Sequence, residues 1–357
     1  MEKRFSIAKT LVAALLISGS ASFVSCSKSD NPVSPGTEET TGSYITTIDD
    51  LVKAIQDAGA EATVIKLAPG INLTLNETID LSGKQITILT PANSTAAHLV
   101  LGENGGFIVN NNFKLSNVTI DATASTTPLI SLNTVNGQVT TIEAIDFENV
   151  SVTGLKKALF YSSAKDYLIT SFNIVNSLVE QAGDATTIDF TKGSCAKTLT
   201  IENSTIWGNL PGATTKSMYS SQSGQKLTDI EANGTQTFNI KNSTFYNLAK
   251  SKNFFTHRQS NQKWLAYNVE NSVFVDCGKS GQVIKGLNGG AQGANPTWNI
   301  SGNLFNFDGV NTGVNETTGD PNEPVKNSVE GIATITSTAE GLTVSMPSQV
   351  GDPRWLK

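Results

Sequence analysis

The sequence predicts an all-β parallel β-helix. Three observations carry that reading: a motif that recurs along the chain, strict alternation inside it, and an Asn at its centre. Seven stretches, beginning at residues 113, 145, 172, 199, 238, 267 and 298, read FKLSNVTI, IDFENVSV, FNIVNSLV, LTIENSTI, FNIKNSTF, YNVENSVF and WNISGNLF. Their central residues are Asn117, Asn149, Asn176, Asn203, Asn242, Asn271 and Gly302, separated by 32, 27, 27, 39, 29 and 31 residues. Periods of this size mark a solenoid. Counted from the centre, positions −4, −2 and +3 are apolar and −3 is polar in every copy. Such alternation describes a strand with one buried face. Asn exchanging with Gly at the centre points to a left-handed bend, because these two residues tolerate positive φ. Parity turns the Asn side chains inward, where amides of successive coils hydrogen-bond in a ladder. Strand, bend and strand make one corner of a parallel β-helix. The hairpin signals of a propeller blade are missing, and a leucine-rich repeat would be shorter and dominated by Leu.

Taken from the start, residues 1–25 read as a signal peptide. Lys3, Arg4 and Lys9 are basic, and the apolar run 11–17 is too short to span a bilayer. Phe23-Val24-Ser25-Cys26 resembles a bacterial lipobox, which implies lipidation of Cys26; ordinary cleavage after a small residue is the alternative. Residues 26–44, rich in Ser, Thr, Pro and Gly, read as a flexible tether. The β-helix is expected over 45–308. It opens with a short amphipathic helix, Thr47 as N-cap with Asp50 three residues on, and Leu51 and Ile55 on its apolar stripe. Stretches 64–70, 73–81 and 86–89 form a first, less regular coil with Thr90 in the ladder place. Residues 309–357 read as a C-terminal loop and cap: a Gly-, Pro- and Asn-rich loop, two short strands over 332–335 and 342–346, and a closing Gly351-Asp352-Pro353-Arg354-Trp355. This end is expected to lie back over the last coils, with Trp355 as its apolar plug. Both ends need covering because an open solenoid exposes edge strands.

Charged residues make up 16% of the 357, and 25 basic against 31 acidic residues leave a net charge of −6. That balance gives no support to nucleic-acid binding. His98 and His257 are isolated, no phosphate-binding Gly-rich loop opens a helix, and no Gly-x-Ser-x-Gly elbow occurs, so no metal site is expected. Cys195 and Cys277 fall on different parts of distant coils and are expected as buried thiols.

With the interior filled, chemistry is left to the outer side of a strand column, and the stretches 158–163, 186–192, 216–221, 253–259 and 282–287 form one such column. Alternation turns Ile188 and Phe190 inward and leaves Thr187, Asp189 and Thr191 outside. Residues 250–264 hold four cations and no acid within an acidic chain. The expected ligand-binding set is Lys250, Lys252, His257, Arg258 and Lys263, extended by Lys279 and Lys285, with Tyr161, Tyr219, Tyr246 or Trp264 as platforms. Cations there suit uronate carboxylates, and aromatic faces suit sugar rings. Equally, a charge run can be a solvated face. For β-elimination, Arg258 and Lys263 are the candidate bases, and Asp189, Glu180 and Asp184 the nearest carboxylates for a Ca²⁺ ion. They are scattered along the chain, whereas an oxygen-rich site gathers several.

The lipobox, the Asn-Ser-Thr-rich repeat, the helix followed by IKLAPG and the terminal GDPRW together resemble Bacteroidota surface lipoproteins with a pectin-lyase-like β-helix, domains of unknown function common in polysaccharide-utilisation loci. That resemblance implies a right-handed parallel β-helix and glycan handling at the outer membrane or cell surface. The Ser-Lys-Ser-Asp after Cys26 resembles the export tags of such proteins. The expected function is a non-catalytic lipoprotein that binds an acidic, pectin-like polysaccharide, without cofactor, as a monomer working beside other glycan-uptake proteins. Alternatives are a polysaccharide lyase, with Ca²⁺, and a structural or adhesive surface protein.

Overall fold

A computed structural model describes residues 43–132, 140–162, 167–190, 195–210, 216–222, 236–258, 265–279, 283, 297–311, 329–338, 341–347 and 349–356. The signal peptide, Cys26 and nearly all of the tether lie outside these residues. The described residues form the parallel β-helix that the repeat predicts, with three strand faces around an apolar interior. Strands of the first and second faces join in one sheet that folds around the Asn corner. Phe113–Asp121 and Thr140–Leu155 run through that corner without interruption. The third face is a separate seven-stranded sheet: Thr78–Asp80, Gly106–Val109, Ile130–Leu132, Phe160–Ser162, Ile188–Phe190, Tyr219–Gln222 and Phe255–Arg258.

Every described side chain at +3 of the repeat is buried, from Ile120 and Val152 through Phe274 and Phe305. Those at −4 and −2 are buried from Phe113 and Leu115 to Tyr267 and Val269. In-register coils place like on like. Phe238 stacks on Tyr267 at 5.0 Å between ring centroids, and Phe274 lies between Phe245 and Phe305 at 4.9 and 5.1 Å. The helix, Ile48–Asp57, precedes the first strand and buries Leu51 and Ile55 in the same interior. The Thr47 hydroxyl accepts the Asp50 N–H at 3.1 Å, which satisfies one of the otherwise orphaned donors of the first turn.

The corner corrects one expectation. All six Asn residues have φ between 46° and 53°, and Gly302 has 66°, so the bend is left-handed. Five of the side chains, however, do not fill the interior: Asn149, Asn176 and Asn271 are exposed and Asn203 and Asn242 half-buried, and only Asn117, in the first copy, is buried. Parity counts alternate positions of extended backbone, and a left-handed residue breaks the alternation. The amides still bond up the outside of the corner in places. Asn149 Nδ2 donates to Asn117 Oδ1 at 2.8 Å, and Asn242 Nδ2 to Asn203 Oδ1 at 3.1 Å.

The inward ladder belongs to the next residue. Ser177, Ser204, Ser243, Ser272 and Asn303 are fully buried. Each side-chain oxygen accepts the backbone N–H one coil earlier: Val150 to Ser177 (3.0 Å), Ser177 to Ser204 (3.0 Å), Ser204 to Ser243 (3.3 Å), Ser243 to Ser272 (3.2 Å) and Ser272 to Asn303 (2.8 Å). Each Ser hydroxyl in turn donates to the carbonyl two residues before it, at 2.7–2.9 Å. The chain turns at these positions, so the ordinary strand ladder cannot reach their N–H groups. The hydroxyl supplies the missing acceptor.

The C-terminal segment lies back over the last coils, as expected, but along their side and without a plug at the end. Hairpin strands Thr334–Thr338 and Gly341–Ser345 pair antiparallel. Ala333, Ile335 and Val350 form a second small core with Val273, Val275 and Leu304, whose side chains face outward from the second face. The segment is therefore a strap along the side of the solenoid. Gly351, at φ 100°, donates its N–H to the Asn271 carbonyl at 2.8 Å; a Cβ there would lie 2.8 Å from Thr244 Oγ1. Asp352 is fully buried and accepts the Thr205 hydroxyl at 2.6 Å, and its own N–H donates to Thr244 Oγ1 at 3.0 Å. Arg354 pairs with Asp352 and donates to the corner carbonyls of Asn176, Ser177 and Asn203 at 3.2, 2.8 and 2.9 Å. Trp355 is half-buried and donates Nε1 to Thr205 Oγ1 at 2.8 Å, so it is a hydrogen-bonded anchor and not a plug.

Three predictions follow from this chemistry, each read by denaturant unfolding. Ser243→Ala leaves the buried Ser204 N–H without an acceptor and should cost about 1–3 kcal/mol. Asn242→Leu should cost about 1–2 kcal/mol through φ alone, whereas Asn242→Gly should stay near wild type. Equal stability of all three variants would remove the corner from its structural role. In the strap, Arg354→Met leaves Asp352 buried and unpaired and should cost about 2–4 kcal/mol. An unchanged midpoint would show that the strap does not stabilise the coils beneath it.

Candidate functional site

The third face places one continuous outer column. Ile108, Ser131, Tyr161, Asp189, Ser220 and Thr256 follow each other coil by coil in register. Between them alternate the inward Phe107, Ile130, Phe160, Ile188, Tyr219 and Phe255, all buried. A groove of about 530 Å³ opens on the outer side; Tyr161, Asp189 and Ser220 form its floor, with Lys157, Thr186 and Lys216 on one flank. Tyr161 and Asp189 are half-buried, and Lys157 and Lys216 are exposed. Ser217 and Thr256 hydroxyls bond at 2.6 Å beside it, which ties two coils together. Such a surface offers a ring face, one carboxylate and two ammonium groups along a shallow trough.

The structure sorts the expected ligand-binding residues. Tyr219 is not on the surface: it is fully buried, its ring 5.0 Å from Phe238, and its hydroxyl accepts from Gln236 Nε2 at 3.1 Å. Burial pushes its phenol far above the ordinary range. It was misplaced because Tyr219 takes the strand's inward parity, in register with Ile188 and Phe255. Thr187 is also buried, one residue before the strand where alternation begins. Phe254 and Phe255 are both buried, so strict alternation does not hold over that stretch.

Lys250 is occupied elsewhere. Its ammonium lies 2.9 Å from Asp308 and 3.8 Å from Asp276, and 5.2 Å from the Phe307 ring centroid. The hydrogen bond to Asp308 is the main cause holding its pKa above the ordinary lysine value, against partial desolvation. A cation so neutralised is a poor ligand for a second anion. Lys252 and Lys279 are exposed on successive coils. His257 and Arg258 end the last strand of the third face, their backbones paired with Ser221 and Gln222. Lys263, Trp264, Lys285 and Thr191 lie outside the described residues.

The carboxylates remain apart. Glu180 sits on the second face, where it accepts the Gly154 N–H at 2.8 Å and bonds Asn209. Asp184 is exposed and does not line the groove. Among the described residues no three His, Cys, Asp or Glu side chains gather in one place. Cys195 and Cys277 are free and buried, and desolvation raises both thiols well above their usual pKa, so neither is poised as a nucleophile. Tyr246 packs under the strap and is half-buried, its phenol raised chiefly by burial. A second groove of about 420 Å³ beside the helix is lined by Ile48, Val52, Leu75 and Ile79 and presents little chemistry beyond Glu77 and Asp80.

Sequence reasoning missed Lys157 and Lys216. Both stand three residues before an inward aromatic of the third face, Phe160 and Tyr219, and Lys252 stands in the same relation to Phe255. That spacing was legible but carried no weight until the register was known. Also missed was a second outer ladder on the first face, at the −3 positions. Asn268 donates to Asn239 at 2.8 Å, Asn299 to Asn268 at 2.7 Å, and Asn173 to Asp146 at 2.7 Å.

Residues 72–209 match a family described as a domain of unknown function (DUF4957), which is less than half of the chain. No curated protein matches the sequence. Among solved structures, the pectin methylesterase from Aspergillus niger in deglycosylated form overlaps 88% of this chain and 93% of its own, at 14% identity and a TM-score of 0.35. A likeness at that level carries no argument about activity.

Proposed function

We propose that this protein is a non-catalytic glycan-binding β-helix that holds an acidic, uronate-containing polysaccharide in the groove of the third face. The observation that carries the proposal is Tyr161 on the groove floor, flanked by Lys157 and Lys216. A sugar ring stacks on the phenol face while its carboxylate meets an ammonium group, and the trough runs along the coil stack as an extended polymer would. Binding is favoured over cleavage by the carboxylates. Among the described lining residues Asp189 is the one carboxylate, whereas hydrolysis of a glycosidic bond uses two carboxyl groups and a Ca²⁺ site for β-elimination gathers several. The chain would be tethered to the outer membrane or cell surface through lipid on Cys26, as the lipobox-like Phe23-Val24-Ser25-Cys26 suggests.

Retention in an affinity gel containing polygalacturonate tests the reading. Tyr161→Ala should weaken retention by roughly tenfold or more, since a central aromatic contact is worth about 2 kcal/mol. Retention should also fall as salt rises. Ultraviolet absorbance of unsaturated uronates should stay flat; its growth with time would make the protein a lyase. Wild-type retention by Tyr161→Ala, or equal binding of neutral glucan, would remove the groove. For the anchor, Cys26→Ala should shift the protein from the membrane to the soluble fraction of its host cells, and an unchanged distribution would exclude lipidation there.

A further inference from the structure

Four lysines fall into line on one rim of the third face. Strand register pairs Phe160 with Ile188, Ile188 with Tyr219, and Tyr219 with Phe255. Carried three residues back, it sets Lys157, Ala185, Lys216 and Lys252 on successive coils. Backbone bonds from Phe160 to Thr187, Ile188 to Met218 and Met218 to Phe254 hold these approaches together at 3.2, 2.9 and 3.0 Å. The Lys279 N–H then donates to the Lys252 carbonyl at 2.8 Å, which adds one more coil. All four lysines are exposed.

Among the described residues these four belong with Lys156, Lys197 and Lys241 as lysines without an ion pair, but only these four share one rim. Lys53 pairs with Asp57, Lys114 with Glu148 and Lys250 with Asp308, whereas none of the four has an ion-pair partner among the described residues. The coil that interrupts the line contributes Ala185, with the exposed Asp184 beside it. Coils repeat at about 4.8 Å, so the line runs roughly 19 Å from Lys157 to Lys279. Unpaired like charges this close repel one another, and a ligand that neutralises them is favoured for the same reason.

We infer that Lys157, Lys216, Lys252 and Lys279 form a cationic rail that reads a linear polyanion lying parallel to the solenoid axis, one charged sugar to each coil. This rests on the proposed groove and adds to it Lys252, Lys279 and a length requirement. A polyuronate presents one carboxylate per sugar, at a rise close to the coil spacing. Such a chain therefore stays in register with the lysines, whereas a neutral glucan or a sparsely charged one does not. Each exposed contact is weak, and affinity comes from several engaged at once.

Titration calorimetry of the full chain with galacturonate oligomers, from dimer to octamer, tests the rail. Affinity should climb with length until roughly five sugars span the line, then level off. Replacing all four lysines by Gln should lower affinity for the octamer by roughly tenfold to a hundredfold. The dimer, which meets at most two of them, should change little. All four are exposed, so the fold should survive, as a circular dichroism melt would confirm. Lys114→Gln with Lys241→Gln, on the first face, should bind as wild type. Two outcomes overturn the rail: octamer binding unaffected by the four substitutions, or an equal loss in the first-face variant. If the rail variant binds normally while Tyr161→Ala does not, the groove stands without the rail. If Tyr161→Ala binds normally and the rail variant does not, the rail stands and the groove floor falls.

Discussion

The corner N–H groups are the constraint on which the rest of this solenoid depends. Where each coil turns from the first face to the second, the backbone must adopt a left-handed conformation, and the next N–H leaves the strand ladder. Left in an apolar interior without an acceptor, each would cost about 1–3 kcal/mol. The buried Ser column removes that cost coil after coil, and Asn303 ends it with a side-chain oxygen in the same place. Two adjacent residues thus divide the work, the Asn accepting the strained φ and the Ser accepting the hydrogen bond. This is why Asn-Ser recurs as a pair from Asn176 to Asn271.

Uniform coils create a second problem. A face that is polar along its length needs no cover, but the second face changes character on the way. Its early coils turn Asn72, His98, Thr119 and Ser151 outward in register, and His98 Nδ1 lies 2.9 Å from Thr119 Oγ1. Its later coils turn out Val273 and Leu304, and there the C-terminal strap lies down. The GDPRW sequence is the fastening. Arg354 takes up corner carbonyls that the bend leaves facing outward, and Asp352 is buried only because Arg354, Thr205 and Thr244 satisfy it.

The described residues of the strap pack on the second face and the corner, while the third face's interior is filled by aromatic and aliphatic side chains that the coil spacing stacks in register. The outer residues between them are thereby held on a rigid sheet. Tyr161 and Asp189 keep their positions because Phe160, Ile188 and Phe190 pack beneath them. Charge on this surface is decided by pairing as much as by composition. Lys250, in the most basic stretch of the sequence, is neutralised by Asp308 and Asp276, while lysines scattered over more than a hundred residues stand unpaired along one rim. A cation's neighbours in the chain say little about its neighbours in space.

The solenoid, its period, the corner residue's positive φ and the opening helix were all legible in the chain, because each depends on local alternation or on the preference of single residues for particular φ values. Parity failed wherever the backbone left the extended region. It sent the Asn side chains inward when the bend turns all but Asn117 away from the interior, and it overlooked the Ser beside them. It could not place Tyr219 or Thr187, since a strand's first residue must be known before alternation can be counted. Trp355 and Arg354 were visible as a motif, but their partners lie some 150 and 177 residues earlier, and no local pattern encodes a contact of that range. The line from Lys157 to Lys279 has the same origin. Insertions of unequal length separate its members in sequence, and only hydrogen bonds between coils bring them to a common register.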